Sequence, residues 1–357
     1  MKRQSRSNGT VTIRDIAGKA GFSPSTVSIV LNNAPLARYI PAETKERIHK
    51  VARQLGYRPN QLARSLRSQR NHTIGLIVFN ITDPFCTPIL HGIETALYQA
   101  SYISLLADAH NDRSRFERYL EMLLERRVEG LIVVANWLVV QIDLLADLEN
   151  RSIPTAVIGR KLSLGAVSSV MVDNEAGARM AVEHLYSLGH REIAFLRGPK
   201  VLVDTGQRWR GIRSFAQSTG LALDPKLILD LPKSFDPNEG FDAGFRLTEE
   251  LLRRKLHFTA LVAFDDVTAL GAMRALTVAG VKVPQQCSVI GFDDVAPAAL
   301  SFPPLTTIRQ PMETMGACAV GLVADAIAES QTLPLHRKLA PELVVRQSTT
   351  KPATESQ

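Results

Sequence analysis

Two pairs of neighbouring aspartates stand at the ends of apolar stretches, where strands commonly present ligand-binding groups. Asp265-Asp266 follows the run A-L-V-A-F, and Asp293-Asp294 follows S-V-I-G-F. Paired carboxylates can supply the general acid and base of an enzyme. Neighbouring side chains at a strand end point to opposite sides, so neither pair is expected to work as one unit. We expect one acid of each pair to face a cleft and bind a hydroxyl-rich ligand, while the other caps the next helix.

A second chemically distinctive segment is G-F-S-P-S-T-V-S-I-V-L-N at residues 21–32. On a helix that begins near Pro24, one face is small, hydroxylated and uncharged. Its members lie at i, i+3, i+4 and i+7: Ser25, Ser28, Ile29 and Asn32. Small hydroxyl donors let a helix approach a phosphate backbone closely. A solvated surface helix is the alternative, and the surrounding charge helps to decide between the two.

The basic charge of the chain is concentrated at its N-terminal end. Residues 1–72 hold 14 Lys and Arg against three Asp and Glu, a net charge of +11, whereas the whole chain carries only +7. A basic leader can be a solvated tail. Because this segment also has helical apolar patterning, we favour a module that binds a polyanion.

Other chemistries find little support in the sequence. The three cysteines, Cys86, Cys287 and Cys318, form no C-x-x-C pair, and their sparseness suits a reducing compartment. His184 and His190 are six residues apart and are expected to be structural rather than metal ligands. No nucleotide-binding or hydrolase motif is visible, so no cofactor is expected. With no apolar leader and no membrane-length apolar run visible, we expect a cytoplasmic protein.

The elements that position these residues fall into two groups. Apolar spacing over 13–20 and 48–55 predicts helices, and a helix that begins near Pro24 is predicted between them, with Gly21 ending the first and Ser23 capping the second. This is a helix-turn-helix layout. From Thr73 onward, eight continuous apolar runs alternate with helical segments, as in parallel sheets covered on both faces. The predicted fold is therefore a small all-α helix-turn-helix domain plus an α/β core of two doubly wound parallel-sheet subdomains.

Several motifs, in order along nearly the whole chain, resemble the LacI–GalR family of bacterial transcription regulators. They include T-I-R-D-I-A-G-K-A-G-F-S-P-S-T-V-S-I-V-L-N, E-R-I-H-K-V-A-R-Q-L-G-Y-R-P-N-Q-L-A-R-S-L-R, S-V-I-G-F-D-D and P-P-L-T-T-I-R-Q-P. The resemblance implies a core like the periplasmic binding proteins and the following divisions. Residues 1–57 form the DNA-binding domain, 58–72 the hinge helix and linker, 73–350 the effector-binding and dimerisation core, and 351–357 a disordered tail. Within the core, the N-subdomain spans about 73–170 plus 308–340, and the C-subdomain about 171–307 plus 341–350.

The resemblance also implies a DNA interface. In the family the second helix enters the major groove, and positions matching Pro24, Ser25 and Ile29 read bases. Positions that contact phosphate match Thr12, Ser23, Thr26, Ser28, Asn32, Tyr57 and Asn60. In the hinge, Leu66 matches a leucine wedged into the minor groove, with Ala63 packed beside it. Many relatives have Arg at the position of Ile29, so the operator should differ from theirs, because isoleucine cannot donate a hydrogen bond to guanine.

An effector site is implied in the core. The matching positions are Asp83, Phe85, Arg160, Arg208, Phe235, Asp265 and Asp293. Gly159 stands where sugar-binding relatives often have Asp. The effector is expected to be a sugar or a sugar acid, and this departure, with Arg160 and Arg208 nearby, favours an acidic or otherwise atypical sugar.

The resulting prediction is a homodimeric transcriptional repressor that binds a near-palindromic double-stranded operator and associates with the nucleoid. Effector binding between the subdomains would change whether the hinges can meet. The effector could either release the repressor or be required for DNA binding. Two other classes of protein are alternatives. A sugar receptor without regulation fits the core but not the basic front, and an enzyme is supported only by the paired aspartates.

Overall fold

A computed structural model describes residues 11–57, 70–135, 153–160, 167–233, 239–328 and 334–353. The chain divides into two compact units, Met1–Asn71 and His72–Gln357. Among the described residues, no helix is long and apolar enough to cross a membrane.

The first unit is a three-helix domain with its own apolar core. Its helices are α1 (Ile13–Ala20), α2 (Pro24–Leu31) and α3 (Ala42–Gln54), with a 3₁₀ turn at Pro35–Tyr39. The buried side chains that join them are Ile16, Ala17, Ala20, Val27, Val30, Ile48, Val51 and Ala52. Gly21 ends α1 with a left-handed φ of 76°, a conformation that glycine adopts without steric cost. The predicted helix-turn-helix is confirmed.

The second unit contains two six-stranded sheets. The first sheet has the order β11-β5-β4-β3-β1-β2, and all of its pairs are parallel. Its strands are β1 (Thr73–Val78), β2 (Ile103–Asp108), β3 (Gly130–Val134), β4 (Thr155–Ile158), β5 (Val167–Val172) and β11 (His336–Leu339). The helices that cover it are α4 (Cys86–Gln99), α5 (Arg113–Glu125) and α11 (Met312–Ile327).

The second sheet has the order β12-β10-β9-β8-β6-β7, in which only the β10–β12 pair is antiparallel. Its strands are β6 (Ile193–Arg197), β7 (Ile228–Asp230), β8 (Ala260–Ala263), β9 (Ser288–Asp293), β10 (Thr306–Arg309) and β12 (Glu342–Val344). Its helices are α6 (Asn174–Ser187), α7 (Val203–Thr219), α8 (Gly240–Arg253), α9 (Asp266–Val278) and the short α10 (Ala296–Leu300). Two doubly wound parallel sheets confirm the predicted fold class.

The chain crosses between the two sheets three times. It leaves the first sheet after β5, returns after β10 into α11, and crosses again between β11 and β12. The helices on each sheet pack closely because small residues lie where they meet. A Cβ at Gly211 of α7 would stand 2.1 Å from the carbonyl oxygen of Glu175 in α6. Only glycine therefore permits this crossing of α6 and α7.

His184 and His190 lie in the layer of the second sheet and form hydrogen bonds with the C-terminal segment. The ring of His190 is hydrogen-bonded to the hydroxyls of Thr259 and Ser288 and to the carbonyl oxygen of Thr350. Nε2 of His184 lies 3.0 Å from the hydroxyl of Thr349. These contacts hold the chain against the sheet as far as Thr350.

Candidate functional site

Side-chain caps fix the first turns of both α1 and α2. The Thr12 hydroxyl accepts from the Asp15 N–H while the Asp15 carboxylate accepts from the Thr12 N–H at 2.7 Å, a reciprocal capping box. The Ser23 hydroxyl accepts from the Thr26 N–H at 3.1 Å. Thr12 and Ser23 therefore have a local structural role in addition to the phosphate contacts predicted for them.

The face of α2 that is predicted to be small, hydroxylated and uncharged is partly exposed. Ser25 is exposed, while Ser28 and Ile29 are half-buried and carry no charge. The Asn32 side chain donates to the carbonyl oxygen of Ser28 at 2.9 Å, so it closes the end of the helix. Tyr57 packs partly into the domain core. The predicted hinge residues Asn60, Ala63 and Leu66 lie outside the described residues, as does Phe235.

A cavity that is open to solvent lies between the two sheets of the core, and its empty space, with the opening included, is about 460 Å³. In both sheets it adjoins loops that follow the carboxyl ends of strands, the usual position for ligands in doubly wound folds. Its walls are formed by Phe85, Gly159, Val172, Asn174, Leu202, Asp204, Arg208, Phe264, Asp265, Asp293, Gln310 and Met315. Four of the predicted effector residues, Phe85, Arg208, Asp265 and Asp293, are therefore brought together here.

Arg208 is the organising side chain of this cavity. It is buried on α7, and Nε donates to the Asn174 side-chain oxygen at 2.8 Å. Nη1 donates to the backbone carbonyl of Phe264, and Nη2 lies 3.6 Å from the Asp293 carboxylate. The guanidinium also stacks on the rings of Phe264 and Phe292 at 4.6 and 3.6 Å. This packing fixes its plane and its direction.

The Asp265-Asp266 pair differs from the expected division of roles. Asp265 lines the cavity and also caps α9, because its carboxylate accepts from the Thr268 N–H at 2.7 Å. Asp266 neither caps the helix nor faces the cavity. It is fully buried and accepts from the Val295 N–H at 2.9 Å and the Thr307 hydroxyl at 2.5 Å. Desolvation raises the pKa of Asp266 to about 8. The expectation of one acid per task was therefore wrong for this pair.

In the second pair only one acid faces the cavity, as expected, but the other does not cap the next helix, whose N-cap is Val295. Asp293 faces the cavity, and its carboxylate accepts from the Gln310 side chain at 2.6 Å. Asp294 turns away and pairs with Arg309 and Arg346. Asp293 has φ 117°, a costly conformation for a side chain other than glycine, which the surrounding contacts must enforce. Burial raises the Asp293 pKa, and the nearby Arg208 opposes that rise.

The remaining predicted residues lie beside the cavity. Asp83 is buried in the loop after β1, and its carboxylate accepts from the Phe85 N–H at 3.0 Å. It is not among the residues that form the cavity walls. Arg160 directly follows the wall residue Gly159 and is half-buried. Desolvation lowers its pKa, and the carboxylate of Asp204 opposes that shift.

Three polar wall residues were missed by the sequence analysis: Asn174, Asp204 and Gln310. Asn174 and Gln310 closely follow the ends of β5 and β10, and for Asn174 this position is a usable signal in the sequence. Asp204 lies well beyond the end of β6, in the first turn of α7, where no such signal marks it. β10 has no long apolar run, so the sequence does not mark Gln310 as a residue that follows a strand.

Comparison with known proteins places the chain among regulators. Residues 12–60 match the family model of bacterial regulatory proteins of the lacI family, and residues 182–349 match a periplasmic binding protein-like domain. The HTH-type transcriptional repressor PurR of Erwinia tasmaniensis is 32% identical over 343 residues, which are 94% of this chain and 96% of that protein. PurR of Haemophilus influenzae strain PittEE is also 32% identical, over 94% of this chain and 98% of its own length.

Solved structures agree with this result. A Lac repressor dimer bound to operator and the anti-inducer ONPF has a TM-score of 0.81 and 27% identity, over 96% of this chain and 100% of that one. A CelR–cellobiose complex has a TM-score of 0.70 and 30% identity, over 95% and 99%. An Enterococcus faecium regulator with bound ribose has a TM-score of 0.68 and 30% identity, over 79% and 100%.

A helix-turn-helix domain joined to two doubly wound sheets that enclose a polar cavity defines a ligand-responsive DNA-binding regulator. The chain belongs to the lacI family of bacterial regulatory proteins. It is a DNA-binding transcriptional repressor and not an enzyme.

Proposed function

We propose that this repressor binds a near-palindromic operator as a homodimer in the cytoplasm, and that a carbohydrate-like effector in the inter-sheet cavity sets its operator affinity. The observation that carries the proposal is the cavity itself, where Arg208, Asp265 and Asp293 converge between two sheets. Carboxylates and a planar guanidinium are suited to the many hydroxyls of a sugar. The relatives solved with cellobiose and ribose support this class of ligand.

On DNA, α2 would enter the major groove. We assign base reading to Pro24, Ser25 and Ile29, and we assign phosphate contacts to the predicted hydroxyl, amide and tyrosine side chains of residues 12–60. Residues 58–72 would form the hinge, with Ala63 and Leu66 at the operator centre. The half-buried Ile29 supports contact with a thymine methyl group, because it offers no hydrogen-bond donor to a base edge.

Exposed apolar side chains on the core support a dimer. β2 is an edge strand of the first sheet, and Ile103 on it is exposed, as is nearby Tyr98 at the end of α4. On the other sheet's layer, Leu300 and Phe302 are 83% and 96% exposed. A second copy of the chain would remove these side chains from water, which is the main driving force for obligate association.

Effector binding would be coupled to the angle between the sheets through two of the chain segments that cross from one sheet to the other. Asn174 follows the crossing after β5 and accepts from Arg208, whereas Gln310 lies in the crossing after β10 and donates to Asp293. A ligand that engages Arg208 and Asp293 would compete with both contacts. It could therefore favour a different angle between the sheets, and this differential interaction is what an allosteric ligand requires.

The DNA-binding part is tested by selecting random duplexes with the full-length protein at physiological salt. We expect enrichment of a near-palindrome with a flexible pyrimidine–purine step at its centre. Ile29→Arg should change one base per half-site to guanine. Gln54→Arg adds the same charge at the exposed end of α3 and should leave the selected sequence unchanged. Failure of the wild type to enrich any sequence, with or without a cell extract, would refute operator binding as proposed.

The effector part is tested by the thermal shift of the full-length protein with sugars, nucleosides and cell-extract metabolites. Arg208→Lys should lose the response, because an ammonium cannot contact Asn174, Phe264 and Asp293 together. Arg213→Lys, on the exposed side of the same helix, should respond like the wild type. Operator titration with the active compound then distinguishes an inducer, which weakens DNA binding, from a co-repressor, which strengthens it.

A further inference from the structure

The inter-sheet cavity is unusually rich in acceptors. Three of its wall residues are carboxylic acids: Asp204, Asp265 and Asp293. Burial raises the pKa of each of these three acids, which indicates that the cavity stabilises a negative charge less well than water does. With all groups ionised, the three acids outnumber the two nearby arginines, Arg160 and Arg208, by one charge.

Among the described residues, Arg208 is the cation of the cavity wall, and it is already engaged. Arg208 donates to Asn174 and to the carbonyl of Phe264, and its remaining nitrogen faces Asp293. Arg160 lies close enough to Asp204 for each to stabilise the charge of the other. An anionic ligand that binds Arg208 would compete with the Asp293 carboxylate, and it would meet the remaining acids in a medium of low dielectric constant.

Asp204 is the cavity acid to which the described residues donate no hydrogen bond. It lies in the first turn of α7 and is half-buried against the cavity. Within the described residues, its carboxylate accepts no hydrogen bond and has no cationic nitrogen within 4 Å. Asp265 and Asp293, by contrast, accept from Thr268 and Gln310. Desolvation raises the pKa of the partly buried Asp204, so its carboxylate is less stable in the free protein than in water, and a ligand donor can reduce that cost.

We propose that Asp204 is the specificity-determining residue of the effector cavity, that it accepts a hydrogen bond from a hydroxyl or ammonium group of the effector, and that the effector is therefore a neutral or cationic polyhydroxylated compound rather than a sugar acid. This inference rests on the proposed function, in which the effector occupies this cavity. It excludes the sugar acid from the two effector classes predicted from sequence.

The first test is the stability of the ligand-free protein. Asp204→Asn removes the charge with little change in shape, so its melting temperature should equal or exceed that of the wild type. Asp242→Asn makes the same change at an exposed position of α8 and should have no effect. A fall of several degrees in the Asp204→Asn variant alone would show that the carboxylate has a structural partner, and it would overturn the proposal.

The second test uses full-length protein and metabolite extract separated by ion exchange into anionic, neutral and cationic fractions. Matched sets of a hexose, its 2-amino-2-deoxy derivative and its uronic acid are assayed in parallel. We expect the neutral or cationic fraction to raise the melting temperature of the wild type and of Asp242→Asn. Asp204→Asn should respond at least tenfold more weakly, measured by the concentration needed for half the shift.

The outcomes separate this inference from the function on which it rests. Activity confined to the anionic fraction, or an undiminished response of Asp204→Asn, would overturn the role of Asp204 and leave an effector-responsive repressor intact. If no fraction or compound shifts the wild type, effector binding in the cavity is itself refuted, and the inference falls with it.

Discussion

Replacing the fully buried Asp266 by asparagine should remove a pH dependence from the stability of the core. Asp266 connects three parts of the core. It is the first residue of α9, and its carboxyl group accepts from the Val295 N–H, just before α10, and from the Thr307 hydroxyl on β10. Asparagine can reproduce the protonated form, with its oxygen accepting from Val295 and its amide donating to Thr307. A matched control is Asp242→Asn, which changes an exposed acid on α8.

The magnitude follows from the raised pKa of Asp266, which is about 8 in the folded protein. An unfolded aspartate titrates near pH 4, so the folded state binds this proton more tightly. The free energy of unfolding contributed by Asp266 is therefore fully present below about pH 4 and is lost as the pH rises towards about 8. The loss is about 1.4 kcal/mol per pH unit within that window, or about 3 kcal/mol between pH 5.5 and 7.5.

Denaturant unfolding of the wild type and both variants, followed by circular dichroism at pH 5.5, 6.5 and 7.5, measures this difference. We expect the stability of Asp266→Asn relative to the wild type to increase by about 3 kcal/mol across the series. The Asp242→Asn control should keep a constant difference from the wild type. Parallel pH profiles for wild type and Asp266→Asn would refute the argument, since they would show that Asp266 does not retain its proton in the folded core.

Three further changes have defined outcomes. Arg208→Met should lower the free energy of unfolding by about 3 kcal/mol. This loss should become smaller as the pH falls, because burial raises the Asp293 pKa and a protonated Asp293 needs no cation; a loss independent of pH would contradict this. Gly211→Ala should cost about 3 kcal/mol in denaturant unfolding, because its Cβ would overlap the carbonyl of α6, whereas Gly206→Ala on the same helix meets no atom closer than 3.9 Å and should be neutral or stabilising. Ser23→Ala should destabilise α2 by about 1 kcal/mol, seen as faster amide hydrogen exchange over that helix, and unchanged exchange would show that the cap is dispensable.

The elements with a strong repeating pattern were predictable from sequence. The apolar spacing over residues 13–20 and 48–55 reflects helices that bury one face, and the caps at Ser23 and Gly21 depend on local backbone geometry alone. The continuous apolar runs of the core likewise reflect strands covered on both faces. Four strands were missed, namely β7, β10, β11 and β12. They are short, and β11 reads H-R-K-L with largely exposed side chains, so no burial pattern marks it.

The candidate site was predictable only in part. Arg208, Asp265 and Asp293 were singled out from sequence and do converge in one cavity. The separate roles of Asp265 and Asp266 were not predictable, because both follow the same strand and differ only in what packs around them. Asp204 was missed for the same reason, since an acid in the first turn of a helix is ordinary until its neighbours are known.

The sequence by itself determined the class of each domain, because periodic burial, helix capping and charge are written in residues close together along the chain. It also determined that the basic charge accompanies the three-helix domain. Only the tertiary structure decided which acids share a cavity and which side chains lie at the crossings between the sheets. The same holds for the protonation of Asp266, since desolvation depends on residues such as Val295 and Thr307 that folding brings together from distant parts of the chain.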